Sequence, residues 1–196
     1  MPLPGDIALA AGVGGLFGYY VLRERWTSVA DRSRTQHRPT VQRGIRLLVI
    51  VAVIFLVVQA FGLARTPFPL TESIQSVLII FGHLLFWFGA FLVLWARETL
   101  GHNWAHAADY QVIPGQQLVR HGPYRFVRHP IYTALLLIFP GAELALGSWL
   151  VVLAVPLFWL LSWQAGREEA LLRRSFREYN EYAQSLGRFF PKIGRA

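Results

Sequence analysis

Polar residues with chemical capacity gather in three stretches of this chain. The first is Gly101-His102-Asn103-Trp104, with Gln111 downstream. The second runs unbroken from Leu118 through Arg120, His121, Tyr124, Arg128, His129 and Pro130 to Tyr132. The third is Arg167-Glu168-Glu169. In the second stretch, Pro130 sits where a helix should start, a position proline favours because its missing N–H would have no partner there anyway. Arg128 and His129 then lie at the helix mouth, where free N–H groups and the positive end of the dipole attract an anion. Tyr124 and Tyr132 add aromatic faces and hydroxyl donors. A zwitterionic ligand with an aromatic ring fits this chemistry. An interfacial belt, in which Arg, Tyr and Trp anchor helices without a ligand, fits it too. Glu168 and Glu169 either complement a helix dipole or offer a carboxylate to ribose hydroxyls or a cationic centre.

The remaining polar residues narrow the chemistry. The chain has no cysteine, which excludes disulfides, zinc thiolate sites and cysteine nucleophiles. His102 and His106 have the i, i+4 spacing of a helical metal pair, but no acidic partner follows in a metalloprotease arrangement, so no metal is expected. His83 falls inside an apolar run and reads as a neutral, hydrogen-bonded packing residue. Glu143 falls near the outer end of another and reads as solvated. The net charge of +8 does not point to nucleic acid, because the charges border apolar segments.

Five apolar segments must position these groups: 7–22, 45–63, about 74–95, about 131–146 and about 149–165. A bilayer core takes roughly 20 helical residues to cross, and 45–63 shows almost none of the polar stripe of a soluble helix. Gly147 and Ser148 leave room only for a tight turn, so the last two segments form a hairpin whose short arms stop shy of a full crossing. Pro140 and Pro156 are expected to kink them. Gly12, Gly14, Gly15 and Gly18 let the first helix approach a neighbour closely, in this chain or in another copy, or simply leave a flexible anchor. Oligomeric state is left open. Every Lys and Arg except Arg65 lies in or beside the segment between helices one and two, the segment between three and four, or the C-terminal tail. Positive flanks stay in the cytoplasm, which places the N-terminus outside, the C-terminus inside and all three polar stretches on the cytoplasmic side. No basic n-region precedes the first apolar run, so a cleaved signal peptide is not expected. Residues 167–182 read as an interfacial amphipathic helix with Leu171, Leu172, Phe176, Tyr179 and Tyr182 on one face. The expected fold is an all-α integral membrane protein of about five transmembrane helices, with a C-terminal helical hairpin and a cytoplasmic amphipathic tail helix. Helices one to three occupy 1–98, and the chemistry-bearing region 99–196.

The run LVRHGPYRFVRHPIYTALL, a hydrophobic hairpin, REEALLRRSFREYNEY and a terminal RFFP, in that order, resemble the isoprenylcysteine carboxyl methyltransferase family, within the wider group of phospholipid-type membrane methyltransferases. The resemblance covers about 99–191. It implies S-adenosylmethionine as cofactor, bound without a soluble Rossmann domain; no glycine-rich strand-to-helix fingerprint occurs here. By resemblance, Gln111, Gln116, Gln117, Leu118, Val119 and Tyr124 line the cofactor. His129, Pro130, Ile131 and Tyr132 continue the pocket, and Glu168 completes it from the tail. Asn103, Arg128, Gln164 and Arg167 are the catalytic candidates. Gln164 stands where the prenylcysteine enzymes carry an arginine associated with the substrate carboxylate, and glutamine offers no charged fork. Arg167 lies about 300° around the helix from it. The implied reaction is in-line methyl transfer to a hydrophobic acceptor entering from the bilayer, the carboxylate of a prenylcysteine-like substrate among the choices. Two other readings stay open: a membrane reductase of the sterol reductase type using NADPH, and a non-catalytic membrane protein on the same fold.

Overall fold

The computed structural model describes residues 4–30, 40–63, 66–103 and 117–192, with side-chain placement for all of these except 24–30, 40–49 and 102. Gln111, Gln116 and His106 lie outside the described residues. Among the described residues there are six α-helices and no strand: α1 (Pro4–Ala30), α2 (Thr40–Ala60), α3 (Glu72–Leu100), α4 (Pro130–Ala145), α5 (Ala154–Ser175) and α6 (Tyr179–Ser185). Short 3-10 turns occupy Gly101–Asn103, Gly122–Arg125 and Trp149–Leu153. Each of the five expected apolar segments is helical.

Among the described residues, three stretches are long and apolar enough to cross a membrane: Pro4–Arg23, Glu72–Leu100 and Trp149–Ser175. Ile50–Ala60 and Pro130–Ala145 are shorter apolar helices. On α3, Val77, Ile80, Leu84, Phe88 and Phe91 recur every three or four residues, and each is more than half exposed. A stripe of that size is unfavourable in water and at home in lipid. The protein is an integral membrane protein.

The residues group into two compact units, Met1–Phe86 with Pro140–Val152, and Trp87–Phe139 with Leu153–Ala196. In the first unit α1 packs on α2, and glycine sets the spacing between α3 and α4. A Cβ at Gly82 would collide with the Ala145 backbone nitrogen and lie 2.7 Å from the Gly141 carbonyl oxygen; one at Gly141 would lie 2.6 Å from the Phe86 nitrogen. The ring of His83 lies against Gly5, where a Cβ would sit 3.0 Å from Nε2. A Cβ at Gly14, Gly15 or Gly18 would meet nothing within 4 Å, so among the described residues no other helix approaches these glycines closely.

Helix α4 ends at Gly147, whose φ is +63°. The Ser148 N–H donates to the Glu143 carbonyl at 2.8 Å and the Gly147 N–H to that of Leu144 at 2.9 Å. This paired closure satisfies carbonyls that a helix end would otherwise leave bare. Gly62 closes α2 in the same way. The expectation for Glu143 is corrected here: its side chain is fully buried, because the Gln59 amide reaches it from α2 and donates to Oε1 at 3.3 Å. Pro156 falls in the first turn of α5, directly after the Trp149–Leu153 3-10 turn.

In the second unit, Leu161, Ala165 and Phe189 form a core packed by Tyr132, Leu135, Leu136 and Leu157. Helix α5 does not stop near 165. It continues through Arg167, Glu168 and Glu169 to Ser175, with Phe176 extended after it. The stretch 167–182 is therefore the last turns of a long apolar helix, a break, and the short α6, rather than one amphipathic helix. Glu168 and Glu169 sit inside α5, where the N-terminus of their own helix cannot be their partner.

Gly82→Ala should destabilise the folded protein by about 1–3 kcal/mol, the usual cost of overpacking, seen as a lower thermal unfolding midpoint in detergent. Gly14→Ala, facing open space inside a helix, should hold or slightly raise that midpoint. Equal midpoints for the two variants would refute the close α3–α4 packing.

Candidate functional site

The second polar stretch is folded by its small and imino residues. Gly122 takes φ +59°, and a Cβ there would press on Thr99. Pro123 then sets a 3-10 turn through Arg125, with the Phe126 N–H donating to the Pro123 carbonyl at 3.1 Å. Pro130 starts α4, and the Thr133 N–H donates to the His129 carbonyl at 3.0 Å. The tail is stitched to this entry. The Arg128 N–H donates to the Gly187 carbonyl at 3.0 Å, and the His129 N–H to that of Arg188 at 3.1 Å. The Thr133 hydroxyl donates to the Phe189 carbonyl at 2.8 Å. Gly187 allows the turn, since a Cβ there would overlap the Phe190 carbonyl oxygen.

Two adjacent carboxylates on α5 meet this seam, and they differ in environment. Glu169 is buried. It accepts from Arg188 Nε at 2.9 Å and from a second Arg188 nitrogen at 3.0 Å, a two-pronged pairing. Arg128 approaches its other oxygen at 3.5 Å, and His129 Nε2 lies 3.2 Å from Oε1. Glu168 is less enclosed. It accepts from the Tyr132 hydroxyl and from Gln164 Nε2 at 3.4 Å, and its second oxygen lies 3.5 Å from His129 Nδ1. The His129 ring thus stands between both carboxylates. Tyr132 stacks on it, centroids 5.4 Å apart and planes within 7°.

Burial works against a charged imidazole at position 129, but its hydrogen bonds to Glu168 and Glu169, with their negative charges, outweigh it and raise its pKa above the ordinary value. Burial also lifts the Tyr124 hydroxyl well above its usual range and pushes Tyr182 up to about 12. Both remain protonated donors at neutral pH, and Tyr182 uses its proton on the Tyr124 carbonyl at 2.7 Å.

His129, Tyr132, Gln164 and Glu168 converge on one cluster, and Pro130 is buried beneath it as the first residue of α4. Ile131 is half-buried in the same first turn. Asn103 Oδ1 accepts the Gln117 N–H at 3.4 Å, tying the end of α3 to the start of the described loop. Gln117, Leu118, Arg120, Phe176 and Glu178 line a cleft of about 400 Å³. Val119 is half-buried beside Leu118. Arg167 lies over the Trp163 ring, 4.8 Å from its centroid. Among the described residues no group of three His, Asp or Glu is arranged to hold a metal ion. A carboxylate has about four lone-pair positions, so Glu168 keeps capacity for hydroxyl donors beyond Tyr132 and Gln164. With the Tyr132 ring beside it, Glu168 can meet a cationic, hydroxyl-bearing molecule.

Sequence reasoning missed the Glu169–Arg188 pairing. Its signals were the doubled glutamate and the arginine of the terminal RFFP run, and only the fold joins them.

Residues 77–179 match the phospholipid methyltransferase family. The chain is 28% identical over 158 residues to a probable protein-S-isoprenylcysteine O-methyltransferase of Oryza sativa subsp. indica, an alignment covering 74% of this chain and 82% of that protein. The japonica protein of the same name matches equally. The cobalt-zinc-cadmium resistance protein CzcN of Cupriavidus metallidurans is 27% identical over 165 residues, covering 83% of this chain and 68% of that one.

The raised pKa of His129 makes stability pH-dependent. The folded protein holds this proton more tightly than the unfolded chain, so the stabilisation is whole below the unfolded value of about 6.5. It is lost as pH rises through the raised folded value. The thermal midpoint should therefore fall from mildly acid to mildly alkaline pH, and His129→Gln should flatten that slope. A slope unchanged by the substitution would remove His129 as its source.

Proposed function

The chain belongs to the phospholipid methyltransferase family, and from that premise we propose that it is an S-adenosylmethionine-dependent methyltransferase acting on a hydrophobic acceptor at the membrane surface. The observation that carries this reading is the convergence of His129, Tyr132, Gln164 and Glu168, residues far apart in sequence, on one partly open carboxylate. The catalytic region is 99–196. The arginine-rich flanks favour a cytoplasmic position for it.

In this reading Glu168 binds hydroxyls of the methyl donor and stabilises its positive charge, while Tyr132 and Gln164 fix the carboxylate. Gln117, Leu118, Val119 and Tyr124 form the adjoining wall, with Gln111 and Gln116 upstream. Pro130 and Ile131 form the floor at the α4 start. Bound there, S-adenosylmethionine supplies a methyl group already activated on a sulfonium. A carboxylate acceptor would need no general base from the protein, because it is already deprotonated and nucleophilic at neutral pH. What the protein provides is alignment and exclusion of water. Asn103 positions the Gln117 wall, and Arg128 orders the seam through Glu169. Arg167, over Trp163, is left at the rim. The rice relatives are named for a prenylated cysteine acceptor, and an acceptor of that kind, a carboxylate on a lipid-like chain, suits a site at the end of apolar helices. Gln164 is uncharged and engaged with Glu168, so the charge that receives such a carboxylate comes from elsewhere.

Calorimetric titration of the detergent-purified protein should show saturable binding of S-adenosylmethionine or its demethylated product, and none of NADPH. Glu168→Ala should weaken that binding by about tenfold, the loss of one or two charge-assisted hydrogen bonds. Binding of NADPH alone would point to a reductase, and binding of neither by folded protein would point to a non-catalytic role.

A further inference from the structure

Helix α4 carries one acidic side chain, Glu143, and it is fully buried. An ionisable group inside an apolar helix calls for a physical account. Its carboxyl is met unevenly. Oε1 accepts the Gln59 Nε2 N–H at 3.3 Å. Oε2 is buried and, among the described residues, has no hydrogen-bond partner. Gln59, only 1% exposed, is in the same condition: its Oε1 is buried without a partner. Each side of the contact thus has one bare acceptor, attached to the same carbon as the atom already bonded.

Among the described residues nothing charged meets this carboxyl. The groups acting on it are the Gln59 amide and the Ser148 hydroxyl. Ser148 in turn lies 2.7 Å from the Thr66 hydroxyl. The other titratable or charged side chains described in this unit are Asp6, Tyr19, Tyr20 and Arg23 on α1, and Glu72 and His83 on α3; none of them acts on Glu143. Burying an ionised carboxylate without a cation is far costlier than burying the neutral acid. A bridging water would satisfy both bare oxygens but leave that charge unmet. A metal ion would meet the charge, but the Gln59 N–H already turns its positive end to the carboxyl. One proton on Oε2 resolves both problems. A carboxylic acid then presents an O–H donor beside a carbonyl acceptor, and a primary amide presents an N–H donor beside its own carbonyl. The two groups are complementary and close a ring of two hydrogen bonds.

We infer that Glu143 is a protonated carboxylic acid at neutral pH, donating to Gln59 Oε1 while accepting from Gln59 Nε2, and that this proton-binding site fastens α2 to α4. The backbone around it is tied in the same sense. The Trp149 N–H donates to the Thr66 carbonyl and the Phe68 N–H to the Gly147 carbonyl, each at 3.0 Å. The chain leaving α2 is thereby bonded to the turn leaving α4. Loss of the proton would set an unmet charge against a bare amide oxygen inside this contact, which loosens it. The inference is independent of the methyltransferase reading.

The test is infrared difference spectroscopy on the full chain in a maltoside detergent, which has no carbonyl group of its own. Ordinary carboxyls are ionised at neutral pH, so an acid carbonyl band there marks a protonated one. The unaltered protein should show such a band, shifted down in deuterated water, and Glu143→Gln should lack it. Exchanging the partners, Gln59→Glu with Glu143→Gln, should bring it back. No acid band in the unaltered protein would overturn the proposal, and a band that survives Glu143→Gln belongs to another carboxyl and counts equally against it. So does a carboxylate band that moves when sodium is exchanged for a bulky organic cation, which would make this a metal-ion site. Thermal unfolding gives a second readout. The amide of Glu143→Gln donates and accepts as the protonated acid does, so this variant should keep the neutral-pH midpoint, whereas Gln59→Leu should lower it. Once pH is raised past loss of the band, the unaltered protein should fall below Glu143→Gln. His129 is common to both, so its own pH dependence cancels. A neutral-pH loss on Glu143→Gln as large as that on Gln59→Leu would show that the fold needs the ionised carboxylate, and would overturn the assignment.

Discussion

A carboxylate buried inside a long apolar helix is expensive unless its charge is met in full, and Glu169 is such a group. Desolvating an ion costs several kcal/mol, and removing one partner of a buried pair typically costs about 3–5 kcal/mol. Here the charge is met by Arg188 with two hydrogen bonds, by Arg128 and by His129. Those partners come from the C-terminal tail and from the residues just before α4. Glu169 can stay buried only if three distant pieces of chain are brought to one place. That requirement fixes where the loop, the start of α4 and the tail must sit, and the backbone bonds from Arg128 and His129 to Gly187 and Arg188 follow from it.

The adjacent residue gains from this. Glu168 lies one position along α5, about 100° around the helix axis, and meets a different set of groups. Tyr132, Gln164 and His129 reach it, yet it stays partly open. One glutamate is buried in ionic contacts and its neighbour stays partly exposed. The division depends on α5 running unbroken from its apolar stretch through Glu169 to Ser175. A break near residue 165 would let the pair turn away from the seam. The same helix carries Phe158 and Ser162, so membrane-facing surface and ionic cluster are rigidly connected.

Much of this was legible in the sequence, for identifiable reasons. Long apolar runs and the Pro130 helix start follow from local physics, and all five segments are helical, though α1 and α5 run well past the ends expected. The residues of the Glu168 cluster could be singled out only through the ordered motifs, because nothing local tells that Tyr132 will face Glu168. The failures have one cause: each concerns a side chain whose partner is remote in sequence. Glu143 reads as solvated at a helix end until Gln59 arrives from α2. The tail reads as a separate amphipathic helix because charge begins at Arg167, yet a helix does not end where polarity begins if partners await the charged groups. Arg188 stood out only as the arginine of the RFFP run, and nothing local ties one basic residue of a basic tail to Glu169.

The most direct test of the site's construction is a double-mutant cycle on methyl-donor affinity, comparing the unaltered protein with Glu169→Gln, Arg188→Gln and the pair combined. If the Glu169–Arg188 contact organises the donor site, each single change weakens S-adenosylmethionine binding and the double change is little worse than either, giving a coupling energy of about 0.5–3 kcal/mol. Losses that simply add, or donor affinity that ignores both substitutions in folded protein, would contradict it.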